Sequence, residues 1–504
     1  MRPLVKQVTT RHSPESLAAR IEPGQGLVLL QSRLLDSAWA RYSLVAARPF
    51  LRFRSSGSRC EVQAGGEIRL HFGNPWCLLE NLMARYESTD EIDLPFPLGG
   101  CFGFWGYELK NFVEPKLPRQ ALDDLHLPDC QVGFYGSLVV FDHRLDAAWV
   151  VATGMDAEGS VTERRAREEF EFWENALVAP VEGPQGEKRV GAPAWRGSVM
   201  SAKDLPSTLK RHEFIERVRR AQAYIRSGDI YQVNLSHRFS APYPSPWAFY
   251  GDLSSVSPAP FSAYVDAGDF QLVSSSPELF LRLSGSEIRT RPIKGTRPRS
   301  GDPIRDAQLT YELQTSAKEM AELVMITDLL RNDLGKICEF GSVRVPELVR
   351  LEQYSQVQHL VSTVEGRLRE EYSHFAAFAS TFPGGSVTGA PKFRAMEIID
   401  ELEPTVRGPY TGAIGYLGFN RESQLSITIR TAICKDGLAH FPVGAGIVAD
   451  SIPEAEYDET LAKAAGFVAA LSYAKDASAE KPHQGAVAWK ADNGDRVTKR
   501  LWAE

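Results

Sequence analysis

The chain has 504 residues, 43% of them hydrophobic and 24% charged, with a net charge of −7. That composition belongs to a globular protein, and the acidic balance excludes a binder that grips duplex nucleic acid through a broad cationic surface. The longest apolar stretches, such as 466–473, fall far short of the roughly 20 residues a bilayer span needs, so no membrane partner is expected.

The first 16 residues carry charge but no apolar segment, so no secretory leader is expected. Six cysteines at 60, 77, 101, 130, 338 and 434 show no CxxC spacing. They read as isolated reduced thiols of a cytoplasmic protein. Residues 24–54 read as strands and turns, and 129–142 (DCQVGFYGSLVVFD) as a second strand-rich stretch, because β-branched and aromatic residues dominate. Residues 162–177 read as an exposed amphipathic helix. From 178 to 211 large apolar side chains thin out and Pro, Gly, Lys and Ser take over, which predicts a linker or long loop. Helices are predicted at 213–229, 312–331, 372–380, 391–402 and 454–471, with a strand at 230–241. The division is an N-terminal β-rich domain (1–177), the linker (178–211), a C-terminal domain (212–473) and a polar tail (474–504) with a hairpin signal at Asn493-Gly494.

Two pairs of acids stand out. Glu319 and Glu322 lie three apart in SAKEMAELVMITDLLRNDLG, whose apolar residues mark a packed helix, so both carboxylates share a face. Glu456 and Glu459 repeat that spacing after Ser451 and Glu454, an S-x-x-E capping pattern with Pro453 in the first turn. Lys463 follows Glu459 by one turn. Facing one another, the pairs would supply the hard oxygen ligands Mg²⁺ prefers, whereas spacing alone favours a solvated face.

Lys294, in PIKGTRPRSGD, lies between Ile293 and Gly295. A lysine desolvated by such flanks becomes a nucleophile; the alternative is a solvated turn. Gly295 permits close backbone approach, and Thr296 offers a hydroxyl. PGGSVTGAPK (383–392) runs into a helix, which suits an anion at a helix N-terminus or a tight turn. It is no P-loop, because Ala390 follows Gly389. VGAGIVAD (443–450) spells G-x-G-x-x-A, but the helix start falls later, at Ser451, which excludes a dinucleotide fingerprint. His359 heads a strand-like run. Arg430 sits in a strand among apolar neighbours and needs a partner, for which a substrate carboxylate is one option. Glu278 follows a proline at a strand entrance, where a general acid and a polar rim residue both fit.

Taken together, PIKGTRPR, ITDLLRNDLG, TFPGGSVTGAPKFRAMEIIDELEP, GAIGY, SITIRTA and VGAGIVADSIPEAEYDET resemble the motifs of the chorismate-utilising enzymes, in that family's order, across roughly 20–473. The resemblance implies an α+β fold of two large antiparallel β-sheets packed as a sandwich with helices outside. It makes 212–473 the chorismate-binding catalytic domain. Hydrating relatives carry a water-activating lysine where this chain has Gln232, so an amine is the expected nucleophile. Lys294, where anthranilate synthases usually have alanine, and PAPFSAY (258–264) look like aminodeoxychorismate synthase component I.

By the same resemblance, Glu319, Glu322, Glu456 and Glu459 hold Mg²⁺. Gln232, Gly295, Thr296, Tyr410, Arg430, Gly444, Gly446 and Lys463 bind chorismate. Lys294 attacks ring C2, Glu278 protonates the departing C4 hydroxyl, and His359 orients the ring or stabilises charge. Ammonia then adds at C4 and the lysine leaves, giving 4-amino-4-deoxychorismate for 4-aminobenzoate and folate synthesis. The chain is read as carrying no glutaminase nucleophile, so a separate glutamine amidotransferase subunit is the implied ammonia source. LLDSAWARYSLVAARP (34–49) resembles the segment that holds L-tryptophan in relatives, with Ser37, Arg41, Tyr42, Pro260 and Phe261 as the implied pocket; a filled apolar core is the alternative. Two other readings stay open: anthranilate synthase component I, and a non-catalytic tryptophan-binding assembly partner.

Overall fold

The computed structural model describes residues 2–33, 40–88, 94–180, 201–243, 245–354 and 357–476. Among them stand two antiparallel sheets, of eleven and twelve strands. The first runs through Leu4–Val8, Ala147–Ala152, Ser137–Asp142, Tyr42–Ala46 and Val28–Gln31, then continues with Phe261–Asp266, Gln271–Ser276, Thr431–Lys435, Leu438–Ile447 and Gln232–Pro242. In the second, Ala413–Gly418 pairs with Gly100–Trp105, so N-terminal and C-terminal strands share both sheets.

Packing explains why the strands read as unbroken apolar runs. All six residues of Ser137–Asp142 are buried, as strands covered on both faces must be. Along Gly100–Trp105 the pleat sends Phe102 and Phe104 into the core between the sheets, and Cys101 and Trp105 into a core shared with the outer helices. Phe102 stacks on Tyr416 at 5.3 Å, and Phe104 meets Phe270 edge-on at 5.7 Å. Helix Glu163–Val178 covers the first sheet through Phe170 and Trp173, and helices Pro75–Tyr86 and His374–Thr381 cover the second. This is the α+β sandwich the motifs imply.

One predicted helix is two. The stretch expected at 312–331 breaks into Pro303–Gln314 and Ala317–Gly335, because Ser316 caps a fresh helix by accepting the amide of Glu319. The capping box expected from Ser451 and Glu454 is not formed. The Ser451 hydroxyl accepts the Val448 amide and donates to Glu456, while Glu454 pairs with Arg219. Much of the expected linker (181–200) and the hairpin signal at 493–494 lie outside the described residues. All six cysteines are free. Among the described residues no helix is long and apolar enough to cross a membrane.

Candidate functional site

The strand Ile293–Pro298 lies against Val357–Arg367, with Thr296 opposite His359, and its register slips between Lys294 and Thr296. The slip falls on Gly295, at φ +67°. A Cβ there would stand 2.7 Å from Leu313 Cδ1 and 3.2 Å from Glu319 Oε2. Glycine therefore does two jobs: it turns the bulge, and it lets the helix bearing Glu319 and Glu322 close on the strand bearing Lys294. Gly295→Ala is expected to lower stability by about 1–3 kcal/mol in chemical denaturation, since strain and clash combine.

The closeness sets the charges. Lys294 Nζ lies 4.0 Å from Glu322 Oε2, and its side chain is only 15% exposed. Burial raises the pKa of Glu322, against the pull of Lys294 and Lys318. From the opposing helix, Pro453–Asp476, Glu456 lies 3.2 Å from Lys318, and Glu459 lies 2.7 Å from Lys463. Burial pulls Glu459 upward, but Lys463, Lys318 and Lys294 together hold it below the usual carboxylate range. Glu319 meets Arg297 at 3.5 Å. The four acids thus face one another across two helices, each against a cation of the chain. Among the described residues no three carboxylates, histidines or cysteines converge on a point that a metal ion could share. The donor set nevertheless suits a hard cation: the oxygens are carboxylate, and Glu456 Oε2 is buried without a hydrogen-bond partner.

Strand Leu438–Ile447 forms the floor. It pairs with Gln232–Pro242, placing Gly444 opposite Ser236 and Gly446 opposite Asn234. Lys463 Nζ donates to the Gly444 carbonyl at 2.7 Å. Gln232 is 1% exposed, and neither its amide oxygen nor its nitrogen has a partner. A Cβ on Gly446 would lie 2.7 Å from Gln232 Nε2. The loop 383–392 packs backbone to backbone on strand Gln232–Pro242, with Val233 opposite Gly389.

Around Lys294 lie two groups whose charged forms burial disfavours. Glu278 is 5% exposed, and burial raises its pKa against Ser386, Lys294 and the Ile293 amide. His359 bonds Thr296 Oγ1 through Nδ1 at 2.9 Å, and burial, reinforced by Arg430, pushes its pKa down to about 4. A carboxyl whose pKa is raised on folding costs no stability below the ordinary carboxylate range and costs progressively more as pH rises above it, because the unfolded chain ionises first. Glu278→Gln is therefore expected to raise the melting temperature at neutral pH, with the gain vanishing as pH falls to the ordinary carboxylate range.

Tyr410 is buried beside Gly444, its phenol pushed up to about 12 by desolvation. Arg407, bound to Glu403 at 2.6 Å and to the Asn234 carbonyl at 2.7 Å, stacks under its ring. Arg430 differs. It takes a left-handed backbone at φ +51°, burial lowers its pKa, and among the described residues it has no ion-pair partner.

The expected C-terminal residues are thus brought together around one space. Sequence reasoning missed Lys318, Arg407 and Ser386. Only Lys318 carried a signal, its i,i+4 spacing to Glu322. Arg41, Tyr42, Pro260 and Phe261 line a separate cavity of about 30 Å³. Arg41 is held there by Asp142 at 2.6 Å. Ser37 lies outside the described residues.

The chorismate binding enzyme family matches residues 35–469. The chain belongs to that family. It is therefore a chorismate-utilising enzyme. Anthranilate synthase component 1 of Thermus thermophilus is 45% identical over 385 residues, covering 76% of this chain and 79% of the relative. Aminodeoxychorismate synthase component 1 of Escherichia coli is 38% identical over 439 residues, covering 86% and 91%. Among solved structures, anthranilate synthase component I of Streptococcus pneumoniae superposes with TM-score 0.71 at 32% identity, covering 91% of this chain and 97% of that one. The menaquinone-specific isochorismate synthase of Escherichia coli, at 18% identity and TM-score 0.68, shares the fold.

One string the sequence reading passes over is Gly99-Gly100-Cys101-Phe102-Gly103, which spells the Gly-x-Cys-x-Gly of a glutaminase nucleophile. The expectation that the chain lacks such a string is wrong as spelling. The structure removes its chemistry: Cys101 is fully buried between two paired strands, and burial pushes its thiol well above the ordinary range.

Proposed function

We propose that this chain aminates chorismate at C4 to form 4-amino-4-deoxychorismate, with Lys294 as covalent nucleophile and ammonia supplied by a separate glutamine amidotransferase subunit. The observation that carries the reading is Lys294 itself. Its ammonium lies 4.0 Å from Glu322 and close enough to Glu278 to counter the rise of that carboxyl's pKa, and an alanine at this position would leave no nucleophile.

Chorismate is a dianion. Arg430, without an ion-pair partner among the described residues, offers its guanidinium to the pyruvyl carboxylate, with Tyr410 beside it and the Gly444 and Gly446 backbone open to close approach. Gln232 offers an unspent amide, and Lys463 lies over the same floor. Glu319, Glu322, Glu456 and Glu459 are the residues that would hold Mg²⁺, which neutralises a ring carboxylate when bound. Lys294 forms a bond to C2 as the ring double bonds shift and the C4 hydroxyl departs as water, taking the proton of Glu278. Neutral His359, fixed by Thr296, orients the ring without adding positive charge. Ammonia bonds at C4, the bonds shift back, and the lysine leaves.

A second reading, anthranilate synthase component I, is favoured by the 45% identity to the Thermus relative. Product analysis separates them. Chorismate, ammonium and Mg²⁺ should yield a non-fluorescent aminated chorismate; fluorescent anthranilate, formed without any added lyase, overturns the first reading.

A further inference from the structure

We propose that Lys318 is an internal counter-cation, seated between the two acid pairs until a divalent cation displaces it, and that it thereby sets the affinity of the cleft for that cation. The proposal rests on the reading that the four glutamates hold Mg²⁺.

Its ammonium bridges the two helices. Lys318 Nζ lies 3.2 Å from Glu456 Oε1 and 4.0 Å from Glu322 Oε1. The other three cations have further anchors or little freedom. Lys463 also holds the Gly444 carbonyl, Arg297 also holds the Thr296 carbonyl, and Lys294 is only 15% exposed. The ion pairs and hydrogen bond recorded for Lys318 all go to the acids, and its side chain is 46% exposed. Its head therefore has a short path to water.

Its position on its own helix strengthens the point. Lys318 is the second residue of Ala317–Gly335, in the first turn, where the helix dipole disfavours a cation. What holds the ammonium there is the acids, above all Glu456 from the other helix. Without it, Glu322 and Glu456 would face each other with less compensation in a partly desolvated cleft. The cleft also holds polar groups the ammonium leaves unused. Glu456 Oε2 and both ends of the Gln232 amide are buried without partners, and Gln232 Nε2 and Glu322 Oε2 lie 2.7 and 3.8 Å from one point above Gly446. Of these groups the Glu456 and Gln232 oxygens are acceptors left over for a second cation, whereas the Gln232 nitrogen is a donor and serves only an acceptor.

With Lys318 between Glu322 and Glu456, no three of the acids converge on a metal-sized point. A divalent ion can gather oxygens from both helices only after the ammonium leaves. The exchange swaps one positive charge for two and moves Lys318 into solvent, so it lowers the metal affinity while protecting the metal-free cleft.

The test uses the whole chain stripped of metal with a chelator, then titrated with Mg²⁺ alone in a calorimeter and in thermal melts. Lys318→Met is expected to bind Mg²⁺ about tenfold tighter than the wild type, the effect of relieving roughly 1.4 kcal/mol of competition. Its metal-free melting temperature should fall, and saturating Mg²⁺ should close the gap. Lys318→Arg, which keeps the charge, should bind Mg²⁺ as the wild type does. Equal or weaker Mg²⁺ binding by Lys318→Met overturns the proposal while leaving the metal site standing. Absence of Mg²⁺ binding in all three proteins overturns both. Should Lys318→Met fail to fold without metal, Lys318→Gln serves the same comparison.

Discussion

Lys294→Ala is expected to lower formation of 4-amino-4-deoxychorismate by on the order of 10⁴-fold or more, the scale on which loss of a covalent nucleophile acts. The fold should survive, because Lys294 lies at the site and its partner Glu322 keeps Lys318 within 4.0 Å. Intact-mass spectrometry reads the chemistry directly. Wild-type protein mixed with chorismate and Mg²⁺ but no ammonia should gain the mass of chorismate less one water, on the peptide that contains Lys294. The variant should gain nothing. A wild-type adduct elsewhere, or full turnover by the variant, removes Lys294 from the mechanism. Residual turnover that shifts to anthranilate would mark the route left when the amine at C2 is gone.

Arg430→Met is expected to cut kcat/KM for chorismate by about 10²–10³-fold, mainly through KM, since a buried charge-assisted contact to a carboxylate contributes about 2–5 kcal/mol. The stability effect should have the opposite sign. The guanidinium is desolvated and has no ion-pair partner among the described residues. Removing it spares the ligand-free protein an uncompensated charge, so its melting temperature should rise. Chorismate should stabilise the wild type strongly and the variant little. A drop in melting temperature without ligand would show that Arg430 holds the fold rather than the substrate. The contrast with Arg407 makes the point. That side chain is equally charged but spent on Glu403, Thr411 and two carbonyls, so it braces Tyr410 and has nothing left for a ligand.

The acid pairs show how far a local reading reaches. Glu319 with Glu322, and Glu456 with Glu459, share helical faces by spacing alone, and both helices form. Their mutual facing is another matter: Lys318 and Glu456 stand 138 positions apart. The capping pattern at Ser451 shows the converse. Its spelling is right, yet the hydroxyl oxygen accepts the Val448 amide instead of a helix N–H, and its proton goes to the buried carboxylate of Glu456. Likewise Gly99–Gly103 spells a nucleophile loop, and sheet pairing on both sides makes it core.

The sequence by itself determined the family, through motifs in a set order, and the supply of chemistry: which residues carry carboxylate, amine, imidazole or guanidinium, and which glycines let backbones approach. It also determined helical faces, since the 3.6-residue period is a property of neighbours. The pairings of Lys463 with Glu459 and of Lys318 with Glu322 are local, at i,i+4, whereas the tertiary structure alone decided which remote charges meet. Lys318 reaches across to Glu456 on the other helix, Lys294 and Arg297 come to Glu322 and Glu319 from a strand, Arg430 has no ion-pair partner among the described residues, and burial raises the pKa of Glu278 while it lowers that of His359. The physical reason is that Coulomb energy and desolvation depend on distance and enclosure, which arise only when remote strands and helices close around one space.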